Sequence, residues 1–142
     1  MNRARADGSG QGVFGQRFAA SGAPVGAEFR VNTYTALDQS RPTIALDSSG
    51  NFVVAWQSAG QDGSGNGVFG QRYAATGAPL GPEFRVNTYV ASDQVDPAVA
   101  ADNAGDFVVV WSSFGQDGSN YGVFGQRYSQ IVPVELMYYA VE

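Results

Sequence analysis

The sequence predicts an all-β fold of repeated four-stranded antiparallel units, and three observations predict it. The hexapeptide GVFGQR stands at residues 12–17, 67–72 and 122–127, at intervals of 55 residues. Residues 12–66 set over residues 67–121 are identical at 36 of 55 positions without a gap. Each period holds short runs rich in β-branched and aromatic residues between turns of Gly, Pro, Asn, Asp and Ser. No window shows the three-and-four apolar spacing of a helix without Gly or Pro intervening.

The elements follow in order within a period. The first run is PTIALD (42–47) or PAVAAD (97–102). SSG or NAG, short enough for a tight hairpin, joins it to NFVVAWQS (51–58) or DFVVVWSS (106–113). In that second run Phe52, Val54 and Trp56 face one side while Val53 and Ala55 face the other, so the strand is buried on both faces. The third run is GVFGQRY (67–73) and the fourth EFRVNTY (83–89, with a copy at 28–34), separated by turns at GQDGSGNG (60–67) and AATGAPLGP (74–82). TALDQSR (35–41) or VASDQVD (90–96) links one unit to the next.

A four-strand meander of this length, apolar on both faces, is the blade of a β-propeller, whose repeats usually run about 40 to 50 residues. Residues 1–41 then make a partial blade of strands three and four with a link. Residues 42–96 make a complete blade and link, and residues 97–142 a last blade whose fourth strand is degenerate or missing. RADGSG at Arg5 aligns with GQDGSG at Gly60, so the chain starts in mid-repeat, as expected of part of a longer array. About two and a half blades form an incomplete ring, since roughly 4 to 8 are needed for closure. Self-association, a pair giving about five blades and a trimer about seven, or further blades would complete it.

Composition narrows the chemistry. With 44% apolar and 13% aromatic residues the chain can bury a core, and its 19 glycines lie between apolar runs as turn punctuation. There is no Cys, no His and no Lys, all eight basic residues being Arg. Thiol and imidazole catalysis, His/Cys metal sites, Schiff-base lysines and phosphate-binding lysines are therefore excluded. A net charge of -5 with scattered Arg argues against nucleic acid as a partner. No stretch approaches the roughly 18 apolar residues of a membrane span, and MNRARADGSGQG has no apolar run of a signal peptide.

The hairpins IALDSSGNFVVAW (44–56) and VAADNAGDFVVVW (99–111) resemble the Asp-x-x-Gly-Asn/Asp hairpins of bacterial propeller repeats, and the whole period is similar to tandem arrays of secreted or surface proteins of bacteria. The resemblance covers nearly the full chain. It implies an extracellular or cell-surface location and a role in adhesion, in carbohydrate or matrix binding, or as a scaffold. A more distant resemblance, to FG-GAP or seven-bladed-propeller repeats, is carried by Phe69-Gly70 and Gly77-Ala78-Pro79. Here the two elements lie closer together than in FG-GAP repeats, and the Asp-x-Asp-x-Asp-Gly calcium loop is absent. VPVELMYYAVE (132–142) resembles segments that precede a C-terminal sorting module. Tyr139 and Val141 there fall in phase with Phe84 and Val86, as a degenerate fourth strand capping the last blade.

Candidate sites are of four kinds. Asp62, with its copies Asp117 and Asp7, and Asp47 or Asp102 could supply calcium oxygens together with Asn66, Asn103 and Asp106, or could be present because tight turns need them. Trp56 and Trp111 could stack on sugars, but their phase with Phe52, Val54, Phe107 and Val109 places them in the core between blades. Tyr34, Tyr89 and Tyr121, at strand ends or in loops, are candidates for exposed aromatic contacts with a glycan or surface protein. Arg17, Arg72 and Arg127 suit an anionic ligand such as a uronic acid or sulfated sugar, or could pair with Asp38 or Asp93 to lock one blade to the next. An active site is usually singular, whereas near-identical repeats would set a catalytic carboxylate pair in every blade, so a non-catalytic module is expected rather than a glycan-active enzyme. A purely structural spacer of a larger surface protein is the alternative.

Overall fold

The computed structural model describes residues 2–4, 10–118 and 120–132. Ten strands follow one another: β1 (Asn2–Ala4), β2 (Gln11–Phe18), β3 (Pro24–Arg30), β4 (Gln39–Leu46), β5 (Phe52–Ala59), β6 (Asn66–Tyr73), β7 (Pro79–Arg85), β8 (Gln94–Ala101), β9 (Phe107–Phe114) and β10 (Tyr121–Tyr128). They form three antiparallel sheets in the orders β1-β2-β3, β4-β5-β6-β7 and β10-β9-β8. The all-β expectation holds, and the described strands do not close a ring. Among the described residues no helix is long and apolar enough to cross a membrane.

The repeat in sequence is a repeat in register. Gln57 pairs with Val68 in the second sheet, Ser112 with Val123 in the third and Asn2 with Val13 in the first. β1 thus stands where residues 57–59 stand in the second sheet, adding the end of a second strand to the first unit.

β5 explains how the sheets stack. Its Phe52, Val54 and Trp56 share a core with Val13 and Val31 of the first sheet and with Phe69 and Tyr73 of its own. Val53 and Ala55, on the opposite face, share a second core with Val68, Val86, Phe107, Val109, Trp111 and Ile131. Strand alternation sends successive side chains to opposite faces, so one strand serves two interfaces. Each fully buried Val or Phe contributes roughly 1.5–3 kcal/mol. The two cores repeat each other, because Phe107, Val109 and Trp111 meet Val68 and Val86 as Phe52, Val54 and Trp56 meet Val13 and Val31.

Every position of the hexapeptide has a structural reason. A Cβ on Gly67 would stand 2.6 Å from the Asp62 carboxylate, and one on Gly70 would stand 2.7 Å from the Phe84 ring. Val68 enters the second core and Phe69 the first. The Gln71 side-chain amide donates to the carbonyls of Arg72 (3.1 Å) and Gly81 (3.0 Å), bridging the irregularity between Gly70 and Arg72 in the β6/β7 ladder. The Arg72 guanidinium lies over aromatic rings of both sheets.

Two boundaries differ from the sequence expectation. The fourth strand of the unit is β7 at Pro79–Arg85 and not residues 83–89. The chain reverses early, because Ala74 N–H donates to Ala78 O and Gly77 N–H to Ala74 O, both at 2.8 Å. Gly77 takes φ 93°, which a residue without Cβ adopts freely. The backbone ladder then ends where the Asn87 side chain accepts the Val68 N–H at 2.8 Å. The first strands, β4 and β8, begin at Gln39 and Gln94 inside the expected links. Register shifts follow at once, between Ser40 and Thr43 and between Val95 and Ala98. Asp7 with the RADGSG copy, and Tyr139 and Val141 with the expected degenerate strand, lie outside the described residues.

Candidate functional site

Strand register divides the candidate residues between two ends of the stack. Ser58 and Asn66 mark one end of the second sheet, Phe52 and Tyr73 the other, seven or so residues or roughly 23 Å apart. Tyr34, Tyr89, Tyr121, Asp62 and Asp117 belong to the first end, and Asp47, Asp102, Arg17, Arg72 and Arg127 to the second. They do not form a single site.

The first end is organised by buried amides. The Asn87 side chain accepts the Val68 N–H and donates to Tyr89 O at 2.9 Å and to Asp62 Oδ2 at 3.2 Å. Asn32 does the same one unit earlier, accepting from Val13 N–H and donating to Tyr34 O at 2.9 Å. Gln39, wholly buried, donates to Ala36 O and Ser58 Oγ. Ser58 in turn donates to Gln61 Oε1 at 2.7 Å, and Gln61 donates to the Glu83 carboxylate. That carboxylate also accepts from Thr33 N–H and Oγ1, at 2.8 and 2.9 Å, tying the second sheet to the chain of the first unit. Gln94, equally buried, accepts the Trp111 indole N–H at 3.1 Å. Its counterpart does not, and Trp56 Nε1 is buried without a partner. This network fixes the backbone that carries Tyr34 and Tyr89, both half-buried. Tyr121 is exposed and meets Phe114 edge to face, ring centroids 5.1 Å apart.

The turn aspartates serve their own turns. Asp47 Oδ1 accepts Ser49 and Asn51 N–H at 2.8 and 3.0 Å, and its Oδ2 accepts the Asn51 amide at 2.9 Å. Asp62 Oδ1 accepts Ser64 N–H at 3.1 Å, and Asp102 Oδ1 accepts Asp106 N–H at 3.0 Å. Asp117 lies against Gly122 as Asp62 lies against Gly67. Among the described residues no three His, Cys, Asp or Glu come together as a metal site would require.

At the second end Arg72 is held between units. Its guanidinium carbon lies 4.8 Å from the Phe84 ring, 5.3 Å from Phe107 and 5.6 Å from Tyr128. Phe107 and Tyr128 are themselves stacked at 4.7 Å. Each such cation–π contact is worth about 0.5–2 kcal/mol, more where water is excluded. Arg72 therefore does lock neighbouring units, but through aromatic faces; the expected pairing of Arg17 or Arg72 with Asp38 or Asp93 does not form. Those aspartates sit at the first end, accepting Gln11 and Asn66 N–H at 2.8 and 2.9 Å. Arg17 extends toward Gly77 in the next sheet, and Arg127 is exposed. Trp56 and Trp111 are buried between sheets, in the core position that their phase indicates.

Burial, and secondarily the Glu83 carboxylate, pushes the Tyr73 phenol up to about 12. Burial also raises Tyr128, opposed by the neighbouring Arg72. Sequence reasoning missed a cavity of about 490 Å3 between the first two sheets, lined among others by Phe18, Phe29, Ile44 and Leu46. The signal available was the departure of Ile44 and Leu46 from Val99 and Ala101 in the next copy. Comparison with protein-family models and with curated proteins finds no match to this chain.

Proposed function

We propose that the chain is a non-catalytic extracellular binding or adhesion module built of β-propeller-type blades, with glycans or matrix polymers as its ligand class. The observation that carries the reading is the recurrence of one tyrosine-bearing end in successive units. The side-chain amides of Asn32 and Asn87 hold the carbonyls of Tyr34 and Tyr89 by matching hydrogen bonds, and Tyr121 stands at the same end of the third sheet. A phenol ring offers an apolar face and a polar tip, the combination that suits a sugar. Repetition of a weak contact makes multivalent binding strong without any single deep pocket. The absence of thiol, imidazole and lysine supports a role without turnover.

The test is a glycan and matrix-polymer array probed with the intact chain and with the Tyr34→Ala, Tyr89→Ala double variant. Binding that drops at least tenfold in the folded double variant supports the reading. Binding that the variant leaves unchanged overturns it. A second reading, a structural spacer, is favoured by the internal use of Arg72, Asp47, Asp62 and Asp102. An empty array with a well-folded sample would support that second reading.

A further inference from the structure

We propose that residues 129–131 form a strap that leaves the path of the repeat and locks the third sheet onto the second, so that the seam between them opens by release of Ile131. Up to Gln130 the repeat is kept. The Gln130 N–H donates to Asp106 Oδ1 at 2.9 Å, as the N–H of its counterpart Ala75 donates to Asn51 Oδ1 at 2.9 Å. The paths then part. In the first two units a turn closes with a glycine in the left-handed region, Gly22 at φ 91° and Gly77 at φ 93°. In the third unit the left-handed residue is Gln130 at φ 58°, two places earlier in phase.

The next residue shows what the early bend accomplishes. Ser21 and Thr76 hold this phase in the first two units, and both are exposed. Ile131 holds it in the third and is wholly buried, within the core that Val53 and Ala55 of β5 share with Phe107, Val109 and Trp111 of β9. Its backbone nitrogen lies 3.3 Å from the point where a Cβ on Gly105 would stand, and Asp47 Oδ2 lies 3.0 Å from the same point. Gly105 belongs to the hairpin after β8 and Asp47 to the hairpin after β4, so Ile131 stands where the hairpins of two successive units meet. Ser48 joins those hairpins directly, its N–H and Oγ donating to Asn103 O at 3.2 and 2.8 Å.

The bend carries two costs. A left-handed glutamine is strained where a glycine is not, and Gln130 Oε1 is buried without a hydrogen-bond partner. Neither is offset by a backbone ladder, since residues 129–132 belong to no strand. Burial of the whole Ile131 side chain is the gain that offsets them. A strained conformation persists where its surroundings over-determine it, and here two units do so together. The strap thus acts on the seam from outside every sheet. In a stack held by nearest-neighbour interfaces, its release loosens this seam and leaves the one between the first two sheets in place. The inference does not rest on the glycan reading.

The test is amide exchange of the intact chain, read at Ser48, whose N–H crosses the seam, and at Val31, whose N–H donates to Val13 O in the first unit. Ile131→Thr restores the residue of the second unit and should speed exchange at Ser48 by about tenfold or more, with Val31 staying within about twofold. Gln130→Pro, which holds φ at about −65° and removes the N–H, should do the same. Gln130→Gly relieves the strain and removes the buried oxygen, so it should slow exchange at Ser48 by about fivefold. Exchange at Ser48 that none of the three variants alters overturns the proposal. Equal speeding at Ser48 and Val31 also overturns it, since that marks a general loss of core packing. If Ile131→Thr and Gln130→Pro do not fold, Gln130→Gly decides alone. Slower exchange at Ser48 than in the parent chain then supports the strap, and equal or faster exchange overturns it.

Discussion

Gly70 is bare because the Phe84 ring occupies the space that a side chain would take, 2.7 Å from an ideal Cβ. Phe84 in turn is one of the rings over which Arg72 lies, so a methyl group there disturbs the contact between two sheets. Gly70→Ala should therefore destabilise by roughly 1–3 kcal/mol, the usual cost of overpacking. Gly125→Ala, at the equivalent place in the third sheet, meets the Val110 side chain at 3.3 Å and the Val109 carbonyl oxygen at 3.5 Å. It should stay within about 0.5 kcal/mol, and urea denaturation of the two variants checks the contrast. Tyr73 gives a second test. The folded protein holds its phenol proton to about 12, above the ordinary 10.0 of the unfolded chain. Its stabilisation is therefore complete below pH 10 and is lost as pH rises toward about 12. Denaturation curves across that range should show the decline, and Tyr73→Phe should remove this part of it. Gly70 and Arg72 were visible in the sequence as members of a repeated string. Their partner ring could not be read there, because it comes from β7, whose phase depends on where the preceding turn closes.

At the scale of elements, alternation in β5 was legible because a β-strand with apolar residues at every position has two faces to bury and no other way to do it. The fourth strand was not legible. EFRVNTY alternates convincingly, yet Asn87 uses its side chain to end the ladder, and Pro79 starts pairing directly after a turn closed by two backbone hydrogen bonds. Side-chain substitution for a backbone partner leaves no trace in hydrophobic pattern. Turn chemistry was legible in kind, since Asp, Asn and Gly stand where Asx-type turns put them, but the same residues equally suggest calcium. The geometry favours the turn. Asp47 accepts three hydrogen bonds within its hairpin, and Asp47→Ala should cost about 1–2 kcal/mol through loss of charge-assisted bonds. Thermal melting should be the same with millimolar calcium and with chelator. A calcium-induced rise that Asp47→Ala or Asp62→Ala abolishes would show that these carboxylates leave their turns for a metal.

For the whole molecule, stacking is the decisive property, because each sheet buries its faces only against its neighbours. Periodicity alone conveyed that the same face would recur, and the two cores repeat with the 55-residue spacing. It also distributed the candidate residues over both ends of the stack, since a repeat multiplies a site along the array without concentrating it. Repeat arrays are stabilised by nearest-neighbour interfaces, so identical residues acquire different energies according to whether a neighbour is present. Val68 and Val123 are such a pair, the same residue in the same hexapeptide. Val68 lies wholly within the second core, whereas Val123 is 78% exposed on the outer face of the third sheet, beside exposed Val110 and Tyr121. Val68→Arg buries an unpaired charge between two sheets and should unfold the chain or cost at least about 3 kcal/mol. Val123→Arg places its charge in water and should leave stability within about 0.5 kcal/mol. It also breaks an exposed apolar patch, so sedimentation at increasing concentration should show less self-association than the parent chain. Equal destabilisation by the two substitutions would mean that the outer face of the third sheet is as deeply covered in solution as the inner one.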